Sequence, residues 1–106
     1  MYTSNDINVT EQDIENGIKR EARECPVACA LKRRFPRARV IVGRDKTWLV
    51  YPDAPSTSYE HSKDVCDWIT RFDYSDVWGK PDPITIIPIG RMLTVKPQQK
   101  RRIGIE

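Results

Sequence analysis

The chain is 106 residues long, and no stretch of it is apolar for more than a few residues. A membrane-spanning helix needs roughly 20 consecutive apolar residues, so no segment reads as one. Met1 to Thr10 is polar and lacks the apolar centre of a secretory signal, so export by that route is not expected. Glycine is scarce, with five in all, and none forms a phosphate-cradling loop. Gly43-Arg44-Asp45 matches neither the Walker nor the dinucleotide fingerprint. No internal repeat is visible. There are three cysteines, an odd number that leaves one thiol over from any disulfide framework, and a reduced cytoplasmic protein is the simpler expectation. What remains is 39% hydrophobic and 31% charged residues, the balance of a folded domain rather than a disordered one. At 12.3 kDa, about two-thirds of the chain's surface is expected to be buried on folding. That supports one domain over 1–96, followed by a basic C-terminal extension over 97–106.

With a single histidine, a zinc site would have to combine Cys25, Cys29, Cys66 and His61. Cys25 and Cys29 have acceptable spacing, but His61 and Cys66 do not form a second closely spaced pair. If both lay on one helix, five positions would turn them about 140° apart. No metal or other cofactor is expected. Cys25 before a proline reads as a helix start, where a thiolate is stabilised, yet no third group orients a Cys25–His61 pair. Cys29 inside Val-Ala-Cys-Ala-Leu reads as core. The carboxylate pairs Asp64/Asp67 and Asp73/Asp76 occupy solvent-type positions. No catalytic residue is assigned, and enzymatic activity is not expected.

The net charge of +3 conceals segregation. Residues 1–30 carry −3, 31–46 carry +6, 47–90 carry −4 and 91–106 carry +4. The +6 block holds Lys32, Arg33, Arg34, Arg37, Arg39, Arg44 and Lys46, with Trp48 just beyond it. Arginine forks hold phosphates and carboxylates in two-point contacts, and Trp48 is placed to stack on a base. The same residues also suit a solvated surface with internal ion pairs. The candidate binding set is these seven cations and Trp48. Its expected partner is anionic: a phosphate-bearing one, such as a nucleotide or nucleic acid, or a protein with an acidic face. No membrane partner is expected, and a homo-oligomer is compatible with the sequence.

Local signals give the order β-α-α-β-β-α-β(-β). Asp6 to Val9 alternates as a strand does. Thr10 and Asp13 occupy the positions of a capping box, Val9 and Ile14 those of a hydrophobic staple. Gly17 suits the position after a helix over about Glu11 to Asn16. Cys25-Pro26 opens a second helix that Phe35-Pro36 ends. Ala38–Val42 and Thr47–Tyr51 predict a hairpin. Pro52 to Ser58 reads as a loop and Glu60 to Phe72 as a third helix, apolar at Val65, Trp68, Ile69 and Phe72. His61 would then lie on that apolar face as a satisfied imidazole. Asp73 to Pro83 reads as a loop, and Ile84–Ile87 and Met92–Val95 as strands. The expected class is α+β, a small, mainly antiparallel sheet of three to five strands with about three helices on one face.

The pattern Val9-Thr10-x-x-x-Ile14-x-x-Gly17 followed by Cys25-Pro26-x-Ala28-x-Ala30-Leu31, with Trp68 to Asp73 later, resembles a group of small proteins encoded by tailed bacteriophages and some bacteria. The resemblance spans about residues 7–88. Cys29 and the basic C-terminal block depart from it. It implies a phage accessory protein in the cytoplasm of a bacterial host, one that binds and blocks a host component such as a defence factor. Direct nucleic-acid binding is the alternative expectation.

Overall fold

The computed structural model describes residues 6–96, and the expected extension over 97–106 lies outside them. Ten elements follow one another: β1 (Ile7–Val9), α1 (Glu11–Asn16), α2 (Pro26–Arg34), β2 (Arg39–Val42), β3 (Lys46–Tyr51), β4 (Ala54–His61), α3 (Lys63–Asp73), α4 (Ser75–Trp78), β5 (Ile84–Ile89) and β6 (Met92–Val95). The class is α+β, with six strands in one sheet and four helices among the described residues. No helix of the described residues is long and apolar enough to cross a membrane.

The start of the chain folds as its residues direct. The Thr10 hydroxyl accepts from the Asp13 amide at 3.1 Å, and the Asp13 carboxylate accepts from the Thr10 amide at 2.9 Å. Both helix-start donors are therefore satisfied reciprocally. Val9 and Ile14, the staple positions, are both buried. Gly17 departs from expectation. It is the C-cap itself, in extended backbone at φ −70°, so no left-handed conformation requires glycine there. The requirement is space: a Cβ at Gly17 would lie 2.6 Å from Cδ of Pro26. Pro26 occupies the first turn of α2 after the Cys25 N-cap, where its missing N–H would have no partner in any case.

The strand order is β1-β5-β6-β4-β3-β2. All pairings are antiparallel except β4 with β6, which is parallel and two residues long, Glu60 with Met92 and His61 with Leu93. The sheet is thus two three-stranded units, β2-β3-β4 and β1-β5-β6, joined over a short seam. Helix α3 starts directly after β4, capped by the Ser62 hydroxyl on the Val65 amide, and packs across the seam on β4 and β6. Its face of Val65, Trp68, Ile69 and Phe72 is buried, as the i, i+3, i+4, i+7 spacing predicts. Helix α2 touches both β1 and β2, the two outermost strands. For one short helix to meet both edges, the sheet must curl around it. Strand alternation places Ile7, Val9, Ile86, Leu93, Leu49, Val40 and Val42 on the enclosed side, and all are buried.

Both edges are also plugged. The Arg33 guanidinium donates to the Asn8 carbonyl on β1 at 3.0 Å, and the Val42 amide on β2 donates to the Ala22 carbonyl at 2.8 Å. Unpaired strand edges invite pairing with other chains, and these contacts withhold part of both.

The structure corrects the sequence reading: the described sheet has six strands rather than three to five, and there are four helices rather than about three. Ala54 to Ser58 is strand, not loop, and Glu60 and His61 belong to β4 rather than to α3. Two prolines and small polar residues hide this strand. Pro55 is tolerated because a register shift interrupts the β3–β4 ladder at this end. It also lies in the half of β4 that β6 does not reach. The 73–83 segment contains the short α4, and β5 runs two residues further than expected, to Ile89.

Arg33→Met strips a buried carboxylate of its two-point partner and is expected to destabilise the fold by about 1–3 kcal/mol. Gly17→Ala is expected to cost about as much by overpacking against Pro26. Urea midpoints at constant m-value check both, and Asp13→Asn in the Arg33→Met background should recover part of the first loss.

Candidate functional site

The curl leaves one face of the sheet without helices. Register and alternation place Arg39, Ile41, Lys46, Trp48, Val50, Ser58 and Glu60 on that face in the β2-β3-β4 unit. Thr94, Met92, Ile87 and Ile89 lie on it in the β1-β5-β6 unit. Trp48 is 42% exposed, a large apolar ring at the centre of a strand and outside the core. The Lys46 ammonium lies 5.8 Å from the Trp48 ring centroid, within cation–π range. Ile41 is the cross-strand neighbour of Trp48, and Arg39 that of Val50 two residues further on. Arg37 lies in the connection before β2 and lines a shallow groove with Pro36, Arg39, Val50 and Pro52.

The seven cations of the basic block do not form one patch. Lys32 pairs with Glu24 at 3.6 Å. Arg33 is committed to Asp13, at 3.0 and 2.8 Å to its two oxygens, and to the Asn8 carbonyl. The Arg34 guanidinium lies 5.0 Å from the Phe35 ring centroid. These three end α2, on the helical side of the sheet. Arg37, Arg39, Arg44 and Lys46 are exposed, and no described carboxylate forms an ion pair with them. Arg39 begins β2, and Arg44 lies beyond its other end in the β2–β3 turn. Arg44 lines a hollow of about 230 Å³ between the 20–25 segment, the end of β2 and α3, together with Arg20, Glu21 and Asp73. Two acids balance the two arginines there. The open face therefore receives Arg39, Lys46 and Trp48, with Arg37 at its rim. The second basic block contributes Lys96, which pairs with Asp6 at 2.8 Å, and Arg91 in the β5–β6 turn.

Of the residues of the zinc and nucleophile readings, Cys25 and His61 are buried, whereas Cys66 and Cys29, the latter expected in the core, are only partly buried. Burial pushes the Cys25 thiol up to about 11, which leaves almost no thiolate at neutral pH. Burial also raises Cys29 and Cys66. The Cys29 thiol donates to the Glu24 carbonyl and the Cys66 thiol to the Arg44 carbonyl, at 3.8 and 3.5 Å. Among the described residues, no three His, Cys, Asp or Glu side chains group in a way that would hold a metal ion. His61 is buried as expected, though in a strand. Its Nδ1–H donates to the Arg44 carbonyl at 3.0 Å, which leaves Nε2 to accept from the Thr47 hydroxyl at 2.7 Å. Burial lowers its pKa, against the opposing effects of the Arg44 carbonyl and Asp45. The neutral ring thus ties β4 to β3 and to the β2–β3 turn, the turn that precedes Lys46.

A second exposed group escaped the sequence reading. Tyr74, Val77 and Trp78 are 44%, 73% and 56% exposed, with the Tyr74 and Trp78 rings 6.0 Å apart and Arg20 over Tyr74. Their i, i+3, i+4 spacing was the available signal, masked by the flanking glycine and prolines.

Compared with family models, curated proteins and solved structures, the chain shows no match.

Protonating His61 costs more in the folded chain than in the unfolded one. The stability it contributes is therefore complete above about pH 6.5 and is lost as pH falls below that value toward the lowered folded pKa. The urea midpoint is expected to drop between pH 7 and 5, at no more than about 1.4 kcal/mol per pH unit. In His61→Gln the drop should flatten.

Proposed function

We propose that this is a non-enzymatic binding protein that holds an anionic partner against the open face of its sheet. The observation that carries the reading is the exposed Trp48 ring on a helix-free face, flanked by Arg39 and Lys46, neither ion-paired to a described carboxylate. Opposite charge draws an anion to such a face and fixes its orientation, while the apolar ring supplies contact area once water is displaced. The reading narrows the basic block to Arg37, Arg39 and Lys46, because Lys32 and Arg33 already face internal carboxylates. It favours an extended partner over a small nucleotide signal. A nucleotide pocket needs arginines converging in a concavity, and the hollow that holds Arg20 and Arg44 is balanced by Glu21 and Asp73.

The resemblance of the Val9–Gly17 and Cys25–Leu31 patterns to small phage proteins supports a biological role for this binding. The protein would act in a bacterial host by occupying a host component, as a counter-defence inhibitor does.

Calorimetry at about 50 mM salt, where polyanion contacts are strong, tests the reading with polyglutamate, inorganic polyphosphate and a single-stranded oligonucleotide. At least one is expected to bind. Arg37→Glu with Arg39→Glu should weaken that binding at least tenfold, and Lys63→Glu on α3 should leave it unchanged. No heat with any of the three probes overturns the reading.

A further inference from the structure

Resting on that reading, we propose that the occupant of the open face is single-stranded nucleic acid, with a base stacked on Trp48 and the adjoining phosphates held by Arg39 and Lys46. The ring and the cations share one face by strand alternation. Lys46 stands two positions before Trp48 on β3, and Arg39 is the cross-strand partner of Val50, two positions after it. Trp48 therefore lies between two cations spaced by four strand positions, roughly 13 Å. Positive charge along a groove, interleaved with aromatic rings, is the general means of holding single strands, because every base has a π face and every linkage a phosphate.

Three features favour this occupant over an acidic protein surface or a duplex. The Lys46 ammonium lies 5.8 Å from the Trp48 centroid, so a π surface and a charge are offered in one place. A nucleotide's base and phosphate match that pair, whereas a carboxylate-rich peptide satisfies only the charge. A duplex keeps the faces of its bases inside the stack, out of reach of a ring standing on the outer face of a curled sheet. The surroundings of the ring are also suited to sliding contact: Ile41 and Ser58, its two cross-strand neighbours, are uncharged. The acid that opposes this arrangement is Glu60, the partner of Lys46 across the β3–β4 ladder. Its position makes it an internal control on the electrostatics.

The test is fluorescence anisotropy of a labelled oligothymidylate of about 12 nucleotides with the full chain, competed by inorganic polyphosphate, polyglutamate and a duplex of equal length. The oligonucleotide is expected to bind more tightly than the duplex. Trp48→Ala should weaken it about 10- to 100-fold and Trp48→Phe only a few-fold, since stacking survives in phenylalanine. Arg39→Ala should reduce the slope of log K against log salt by about 0.7, one phosphate's worth for a single strand. Glu60→Gln should tighten binding. Trp48 is outside the core, so an unchanged urea midpoint is expected to show that Trp48→Ala is folded. If Trp48→Ala binds as well as the parent and polyphosphate competes equally per charge, the proposal is overturned while the anion-binding reading stands. If polyglutamate binds and the oligonucleotide does not, the occupant is an acidic protein and the proposal is again overturned. Silence from all three single-stranded or acidic probes overturns the broader reading as well.

Discussion

The Asp13 carboxylate is the point on which the fold closes. Its burial would raise its pKa, but the hydrogen bonds from Arg33 and Thr10, with the charge of the Arg33 guanidinium, outweigh that effect and hold it below the usual carboxylate value. One charged group thereby does three things. It caps α1 through the Thr10 amide and fixes the end of α2 through Arg33. It also stations the Arg33 fork where a remaining N–H reaches the Asn8 carbonyl on the β1 edge. A buried carboxylate without a partner is strongly unfavourable, so α1, α2 and β1 must arrive together. Gly17 is subject to the same closure, because the α1–α2 approach leaves no space for a Cβ beside Pro26.

This closure accounts for the exposed surface as well. A helix that touches both outer strands draws the sheet round itself and concentrates the apolar side chains inside the curl. The convex side is left without a helix, and the cations of the +6 block are sorted by the same geometry. Those at the end of α2 are used within the fold or lie on the helical side. Those on β2 and β3 face outward beside Trp48. The buried His61 supports this arrangement from beneath by fixing the turn from which β3, and hence Lys46, emerges.

Much of this was legible in residue types. The capping box, the Cys25-Pro26 helix start, the β2–β3 hairpin and the apolar face of α3 are local devices, and local devices survive in a single sequence. β4 was not legible. Its inward residues are Thr57, Tyr59 and His61 rather than aliphatics, and Pro52 before it and Pro55 within it resemble loop punctuation. What makes it a strand is pairing to β3 and β6, which no local pattern reports. The candidate site was legible in composition and not in partition. Arg33 and Arg39 look alike in sequence, and only the position of Asp13, twenty residues away, decides that the first is internal. The α4 aromatics carried a readable spacing, obscured by the breakers around them.

The pairing of β1 with β5 has a consequence for synthesis. Thr85 donates its hydroxyl to Asn8 across 77 positions of sequence, so β1 has no sheet partner until synthesis has passed β5. At about 5–20 residues per second, β1 waits roughly 4–15 s for its neighbour. The β2-β3-β4 meander closes over far shorter loops and can assemble in that interval. The β1–β5 pairing is then made after the meander has closed, so this strand completes its place in the sheet out of its order of synthesis.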